Sequence, residues 1–148
     1  MKRKLFLIII ILVNLSLIGC QKAKQTKTNW IVKIKNHKIF VELAQTTQEK
    51  YQGLSHRHQL CPYCGMLFVY PTAQERVFVM RNMNFPLDII WIKDKKIVNI
   101  NRNIQPEKAP LKKYLSKQPV DLVLEVNGDF CRKNNIEIGD RIEIKTQP

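Results

Sequence analysis

From Asn29 onward the chain alternates apolar and polar residues with a period of two, the pattern of strands that bury one face. "WIVKIKN" and "KIFVELA" flank Asn36-His37, which predicts a hairpin. The rhythm breaks in "TTQEKYQGLSH". There Thr46 or Thr47 can cap a helix, Glu49 falls in its first turn and Gly53 can stop it, so one short helix is predicted. Strand patterns resume in "GMLFVYP", "ERVFVMRN", "PLDIIWI" and, after an Asp94-Lys95 turn, "KIVNINRN". Residues 103–119 carry three prolines and few large apolar side chains, and read as a long loop. "VDLVLEVN" returns to strand, "GDFCRKNN" reads as one or two helical turns, and "GDRIEIK" closes as a strand. No internal repeat is present. Eight short strands with one or two small helices predict a mainly β, compact, barrel- or sandwich-like single domain over residues 30–148.

Residues 1–19 do not belong to that domain. Met1-Lys2-Arg3-Lys4 is followed by an apolar run from Leu5 to Val13 and then by "NLSLIGC". A cationic start, an apolar middle and a small residue before a cut describe a secretory signal. A spanning helix needs about 20 apolar residues, and Asn14 and Ser16 interrupt this run early. Leu17-Ile18-Gly19-Cys20 resembles the lipobox of bacterial lipoproteins. That resemblance implies cleavage before Cys20, which then carries a diacylglyceryl thioether and an N-acyl chain; an uncleaved anchor is the alternative. Several acyl chains on one residue hold a protein stably to a bilayer. Gln21, where an aspartate would retain the protein at the inner membrane, favours the outer membrane in a two-membrane host. The expected location is thus the bacterial cell envelope, lipid-anchored and facing outside the cytoplasm.

Charge fits this picture. The chain has 25 Lys and Arg against 12 Asp and Glu. Loss of residues 1–19 removes three basic residues and no acidic one, leaving 129 residues, one domain's worth, with a net charge of +10. Residues 20–29 read as a flexible, lipidated tether whose three lysines suit anionic head groups. The other lysines are scattered over turns, with no stripe of interleaved aromatics, so no nucleic-acid partner is expected. The expected partners are the lipid bilayer through Cys20 and a small ligand or envelope protein, with the chain itself a monomer.

"QGLSHR", "GMLFVYP", "VFVMRNMNFPLDIIWI", "VLEVNGDF" and "IEIGDRIEI" resemble, in this order, the motifs of the domain-of-unknown-function 192 family. The most specific stretch is Met80-x-Asn82-x-x-x-Pro86-Leu87-Asp88, preceded by Gly65-Met66-Leu67-Phe68. The resemblance covers about residues 40–144 and implies a compact, mainly β fold. Two departures stand out. The family usually has "RGLM" where this chain has Gln52-Gly53-Leu54-Ser55, and its often acidic segment before Gly65 is here Cys61-Pro62-Tyr63-Cys64.

That cysteine pair belongs to His56-x-His58-x-x-Cys61-x-x-Cys64. Cys-Pro-Tyr-Cys is also the dithiol of glutaredoxins, but there it opens a helix that activates the first thiol. Here Gly65 and a β-rich run follow. The four side chains are of zinc-ligand type, yet ligands from nine consecutive residues close a tetrahedron poorly, and the outside compartment oxidises thiols. A Cys61–Cys64 disulfide is the leading reading, with zinc and free thiols as alternatives. No other cofactor is expected. Cys131, beside Phe130, reads as a small buried hydrophobe.

Polar residues inside the β pattern mark a candidate site. In "PLDIIWI", Asp88 shares a face with Ile90 and Ile92; in "VDLVLEVN", Glu125 shares one with Asp121, Val123 and Asn127. A buried carboxylate costs several kcal/mol unless paired or hydrogen-bonded, and Arg57, Arg81 and Asn82 are candidate partners. Either Asp88 caps the loop from Asn82 to Pro86, or Met80, Asn82, Met83, Asp88 and Glu125 line one pocket with an adaptable thioether wall. Two carboxylates also suit an acid–base hydrolase. However, no nucleophile elbow, phosphate-binding glycine loop or His-x-x-x-His pair is present. The expected function is a small binding or accessory module of the envelope, with an enzyme using Asp88 and Glu125, or a purely structural envelope protein, as the alternatives.

Overall fold

A computed structural model describes residues 30–146. The signal segment, Cys20 and residues 20–29 of the tether lie outside the described residues. Nine strands and two short helices follow in the order β1 (Trp30–Ile34), β2 (His37–Ala44), α1 (Thr47–Gln52), β3 (Cys64–Gln74), β4 (Val77–Phe78), β5 (Leu87–Lys93), β6 (Lys96–Ile104), β7 (Tyr114–Leu115), β8 (Val120–Asn127), α2 (Phe130–Lys133) and β9 (Ile142–Thr146). Seven strands form one sheet in the order β6-β5-β8-β3-β2-β1-β9, and β4 and β7 form a second, two-stranded sheet. All pairs are antiparallel except β2 and β3.

The large sheet curls until its edges meet. Ile97 donates its N–H to Asp140 O at 2.9 Å, Gly139 donates to Ile97 O at 2.8 Å, and Ile142 donates to Lys95 O at 2.9 Å. These bonds, with the Lys96–Arg141 bridge, tie β6 to the start of β9 and give the barrel-like one of the two forms, barrel or sandwich, that the alternation leaves open. Curling separates two hydrophobic cores. Inside the barrel, Val32, Val41, Leu67, Ile90, Ile97, Leu124 and Ile142 pack together, although they come from both edges and the centre of the sheet. Outside it, Phe68, Met80, Met83, Leu87, Ile89, Trp91 and Val123 form the second core, covered by the segments after β2 and β3.

Local chemistry places those covers. Thr46 accepts a hydrogen bond from the Glu49 N–H while the Glu49 carboxylate accepts from the Thr46 N–H, a capping box that starts α1 as the sequence predicts. Gly53, at φ +50°, ends it. The predicted strand in "ERVFVMRN" is reduced to Val77–Phe78, because Met80 and Met83 turn into the outer core around Asn82, whose φ is +51°. β3 runs past Pro71 to Gln74, the proline sitting where the register with β8 shifts and a ladder bond is not required. At Gly65 a Cβ would stand 2.6 Å from Glu125 O, so β3 and β8 approach there as only glycine permits.

Candidate functional site

Under α1 and β4, the outer face of the barrel holds a cavity of about 320 Å³. Phe68, Phe78, Leu54 and Met83 supply apolar wall, Lys50 and Arg81 supply positive charge, and Glu125 supplies the one carboxyl group of the lining. Phe68 and Phe78 meet edge to face at 4.8 Å between ring centroids, and Phe78 meets Trp91 likewise at 5.3 Å, so one wall is an aromatic ladder continuous with the core. Trp91 is itself fixed by a 2.7 Å bond from its Nε1–H to Asn101 Oδ1.

Glu125 is the unusual member. It is 6% exposed, sits mid-strand in β8 opposite Ile89, and receives no hydrogen bond to its carboxyl group from the described residues. Burial pushes its pKa up to about 8, only partly offset by the Arg57 guanidinium. Arg57 is engaged elsewhere, in a bidentate pair with Glu42 at 2.6 and 2.8 Å. Burial also raises the Tyr70 hydroxyl pKa, with Arg76 opposing and Glu125 adding to the shift. Three cations lie on tyrosine rings near the cavity: Lys50 Nζ at 4.4 Å and Arg76 at 3.9 Å from the Tyr70 centroid, and Arg81 at 4.2 Å from that of Tyr51.

The structure divides the residues that the sequence groups as one pocket. Glu125 and Met83 line this cavity, and Met80 is buried in the outer core beneath the same segment. Asn82 is exposed; its Nδ2 lies 3.2 Å from His56 Nε2, and its carbonyl accepts the His56 N–H at 2.8 Å, so it fastens the 55–58 loop to the turn. Asp88 faces the barrel interior, because it pairs with Val126 while Glu125 pairs with Ile89. On adjacent antiparallel strands that register sends the two carboxylates to opposite sides of the sheet. Asp88 does cap backbone N–H groups, but not those of its own loop. Its Oδ1 accepts from Asn103 at 2.6 Å and Asp129 at 3.0 Å, and its Oδ2 from Cys131 at 2.7 Å. It thereby performs for α2 the task of an N-cap side chain, which Asp129 itself does not.

Cys61 and Cys64 are joined in a disulfide, their Cα atoms 5.1 Å apart, on the loop entering β3. Asn127 Nδ2 donates to Cys61 O at 2.8 Å and pins that loop to the end of β8. His56 and His58 are exposed, and no group of three or more His, Cys, Asp or Glu side chains that could hold a metal ion occurs among the described residues. Cys131 is a buried free thiol whose pKa burial and the Asp88 carboxylate both raise. Alkylation without reductant is therefore expected to spare Cys61 and Cys64 and to reach Cys131 only on unfolding. Replacing the pair by serines is expected to cost at most about 2 kcal/mol, the loop-entropy value for so short a loop. A larger loss in a denaturant melt would show that the disulfide organises more than its own turn.

A model of the family designated DUF192, described as an uncharacterized ACR, matches residues 30–144, which is the whole described barrel but for its last residues. The chain belongs to the DUF192 family. No curated protein matches it. Among solved structures it is similar to a protein of unknown function from Novosphingobium aromaticivorans, with 32% identity and a TM-score of 0.72 over 76% of this chain and 83% of the other. It is also similar to a putative transcription regulator from Sinorhizobium meliloti, with 31% identity and a TM-score of 0.69 over 77% of this chain and 90% of that one. The DUF192 motif from Met80 to Asp88 thus divides by role in this chain. Met80 fills the outer core, Asn82 supplies the left-handed turn, and Asp88 caps α2 from inside the barrel. Lys50, Tyr51, Tyr70 and Phe78, which line the cavity in this chain, escape sequence reasoning. They come from three separate segments; Tyr70 and Phe78, like Phe68, lie in family motifs quoted above, but nothing in the spacing brings those motifs and α1 to one cavity.

Proposed function

We propose that this protein is a lipid-anchored module of the cell envelope, facing outside the cytoplasm, that binds a small molecule in the Glu125 cavity. The observation that carries the binding reading is a buried carboxyl group, without a hydrogen bond from the described residues, opening into a cavity of about 320 Å³. Such a group costs several kcal/mol, a cost that packing alone does not require, since leucine would fill the same place on β8. A ligand that bonds to the carboxyl recovers it. The cavity lies in the size range of small-molecule sites and combines apolar walls with a few polar groups. A purely structural envelope protein has no need of this arrangement. An acid–base hydrolase using Asp88 and Glu125 draws no support from it either, because the two groups face opposite sides of the sheet.

Leu17-Ile18-Gly19-Cys20 and the basic, apolar segment before it support the anchor. Cys20→Ser is expected to abolish incorporation of labelled fatty acid and to leave an uncleaved or mislocalised precursor. If the variant is processed and fractionates with membranes like the wild type, the anchor is refuted. For the site, native mass spectrometry of the detergent-extracted protein is expected to find a retained small molecule, depleted in Glu125→Gln. The binding reading fails if the wild type carries none and no small-molecule extract of its host raises its melting temperature.

A further inference from the structure

We infer that the ligand of this cavity is a small organic anion with an apolar body, its negative group held by Lys50 and Arg81 and its body lying against Phe68, Phe78 and Met83. This inference rests on the cavity being the binding site and adds the class of what it takes. Its basis is an imbalance of charge. Lys50 and Arg81 both line the cavity, and neither forms a salt bridge among the described residues, whereas Lys35, Arg57, Arg132 and Lys145 each have a carboxylate partner. Instead each lies on a tyrosine ring, which orients a cation without neutralising it. Arg81 is held further by its bond to Tyr51 O at 3.4 Å and by Ser55, whose hydroxyl donates to Arg81 O at 2.8 Å. The two cations are thus placed at the cavity before any ligand arrives, and a preorganised site spends less of its binding free energy on ordering.

Glu125 does not restore the balance. It is the single acidic residue of the lining, and burial keeps it protonated at neutral pH. Lys50 and Arg81 therefore face the cavity as two positive charges against none. In the neutral form the Glu125 carboxyl can donate a hydrogen bond to an oxygen of the ligand as well as accept one. A cationic ligand would meet repulsion from both Lys50 and Arg81. A neutral one would leave them unanswered, while an anion is drawn in by the field and bonded by charge-assisted hydrogen bonds.

Three probes with one body and different charge test this: 3-phenylpropionate, 3-phenylpropanol and 3-phenylpropylamine, titrated at neutral pH and low salt into the full mature lipoprotein in neutral-lipid nanodiscs. The propionate is expected to bind tightest, roughly tenfold or more above the alcohol, with the amine weakest. Lys50→Gln and Arg81→Gln are each expected to weaken the propionate by about fivefold and to leave the alcohol unchanged. If the alcohol or the amine binds as tightly as the propionate, or if neither variant weakens the propionate, the anion inference is overturned while the cavity stands as a binding site. If none of the three binds at millimolar concentration, and the host's small-molecule extract gives no stabilisation either, both the inference and the binding reading fall.

Discussion

Glu125→Gln is expected to stabilise the domain at neutral pH and to change little in acid. The folded carboxyl has its pKa pushed up to about 8 by burial, with Arg57 opposing, whereas in an unfolded chain a glutamate titrates near about 4.3. Below both values the group is protonated in either state and contributes no pH dependence. As pH rises past the unfolded value, the unfolded chain releases a proton that the folded one keeps. Stability then falls by about 1.4 kcal/mol per pH unit until the folded pKa is passed. At neutrality this amounts to about 3–4 kcal/mol, and glutamine is free of it. Melting temperatures of wild type and variant between acid and mildly alkaline pH, compared pairwise, isolate this group, because every other titration cancels in the difference. A gap that opens from acid to neutral pH and levels off near the folded pKa is the expected result; a gap constant with pH would mean that Glu125 is not held neutral. The variant should bind the cavity's ligand less well while melting higher, since stability given up at a binding site is recovered when the site is disarmed.

The sequence carries most of the strands and little of the cavity, for a physical reason. Alternation in "WIVKIKN", "KIFVELA", "PLDIIWI" and "VDLVLEVN" reports one buried face locally, and each of these segments is a strand. The capping box of Thr46 and Glu49 is likewise a matter of four residues. Register between distant strands is not local. A shift of one residue between β5 and β8 would bring Asp88 and Glu125 to the same face and make the single five-residue pocket real. Nothing in either segment's alternation decides that shift, because both strands are apolar on both faces. Barrel closure is remote too, depending on residues 95–97 meeting 139–142. "ERVFVMRN" misled for the opposite reason. Its β-prone run continues through Val79, but the thioethers of Met80 and Met83 are drawn into the outer core, and tertiary burial overrides the local preference.

Asp88 offers the counterpart prediction, a large loss of stability with no loss of ligand affinity in the molecules that remain folded. The carboxylate is wholly buried and is spoken for by three N–H groups from two distant segments, Asn103 on β6 and Asp129 and Cys131 at the start of α2. Cys131 is itself buried and its N–H has no water to turn to, whereas Asn103 and Asp129 lie nearer the surface. In Asp88→Ala the buried Cys131 N–H is orphaned, at about 1–3 kcal/mol, and the two part-buried bonds are lost with it, so a loss on the order of 4 kcal/mol is expected, enough to unfold a marginal domain at growth temperature. Asp88→Asn is milder. Its oxygen can keep the Asn103 and Asp129 bonds, but the amide then presents N–H to the Cys131 N–H, and about 2–3 kcal/mol should go with that bond and with the charge. The damage has an address. α2 is only four residues long, lacks a side-chain cap of its own and closes the barrel interior with Phe130. Hydrogen exchange in Asp88→Asn should therefore speed up at Asp129, Cys131 and Asn103 well before the centre of β8, and Cys131 should become open to alkylation in the otherwise folded protein. Affinity for 3-phenylpropionate, measured at a temperature where Asp88→Asn is folded, should match the wild type, since the Glu125 cavity lies across the sheet. If instead the variant melts like the wild type and loses the probe, Asp88 belongs to the binding site, and the division of the two carboxylates by the sheet does not divide their function.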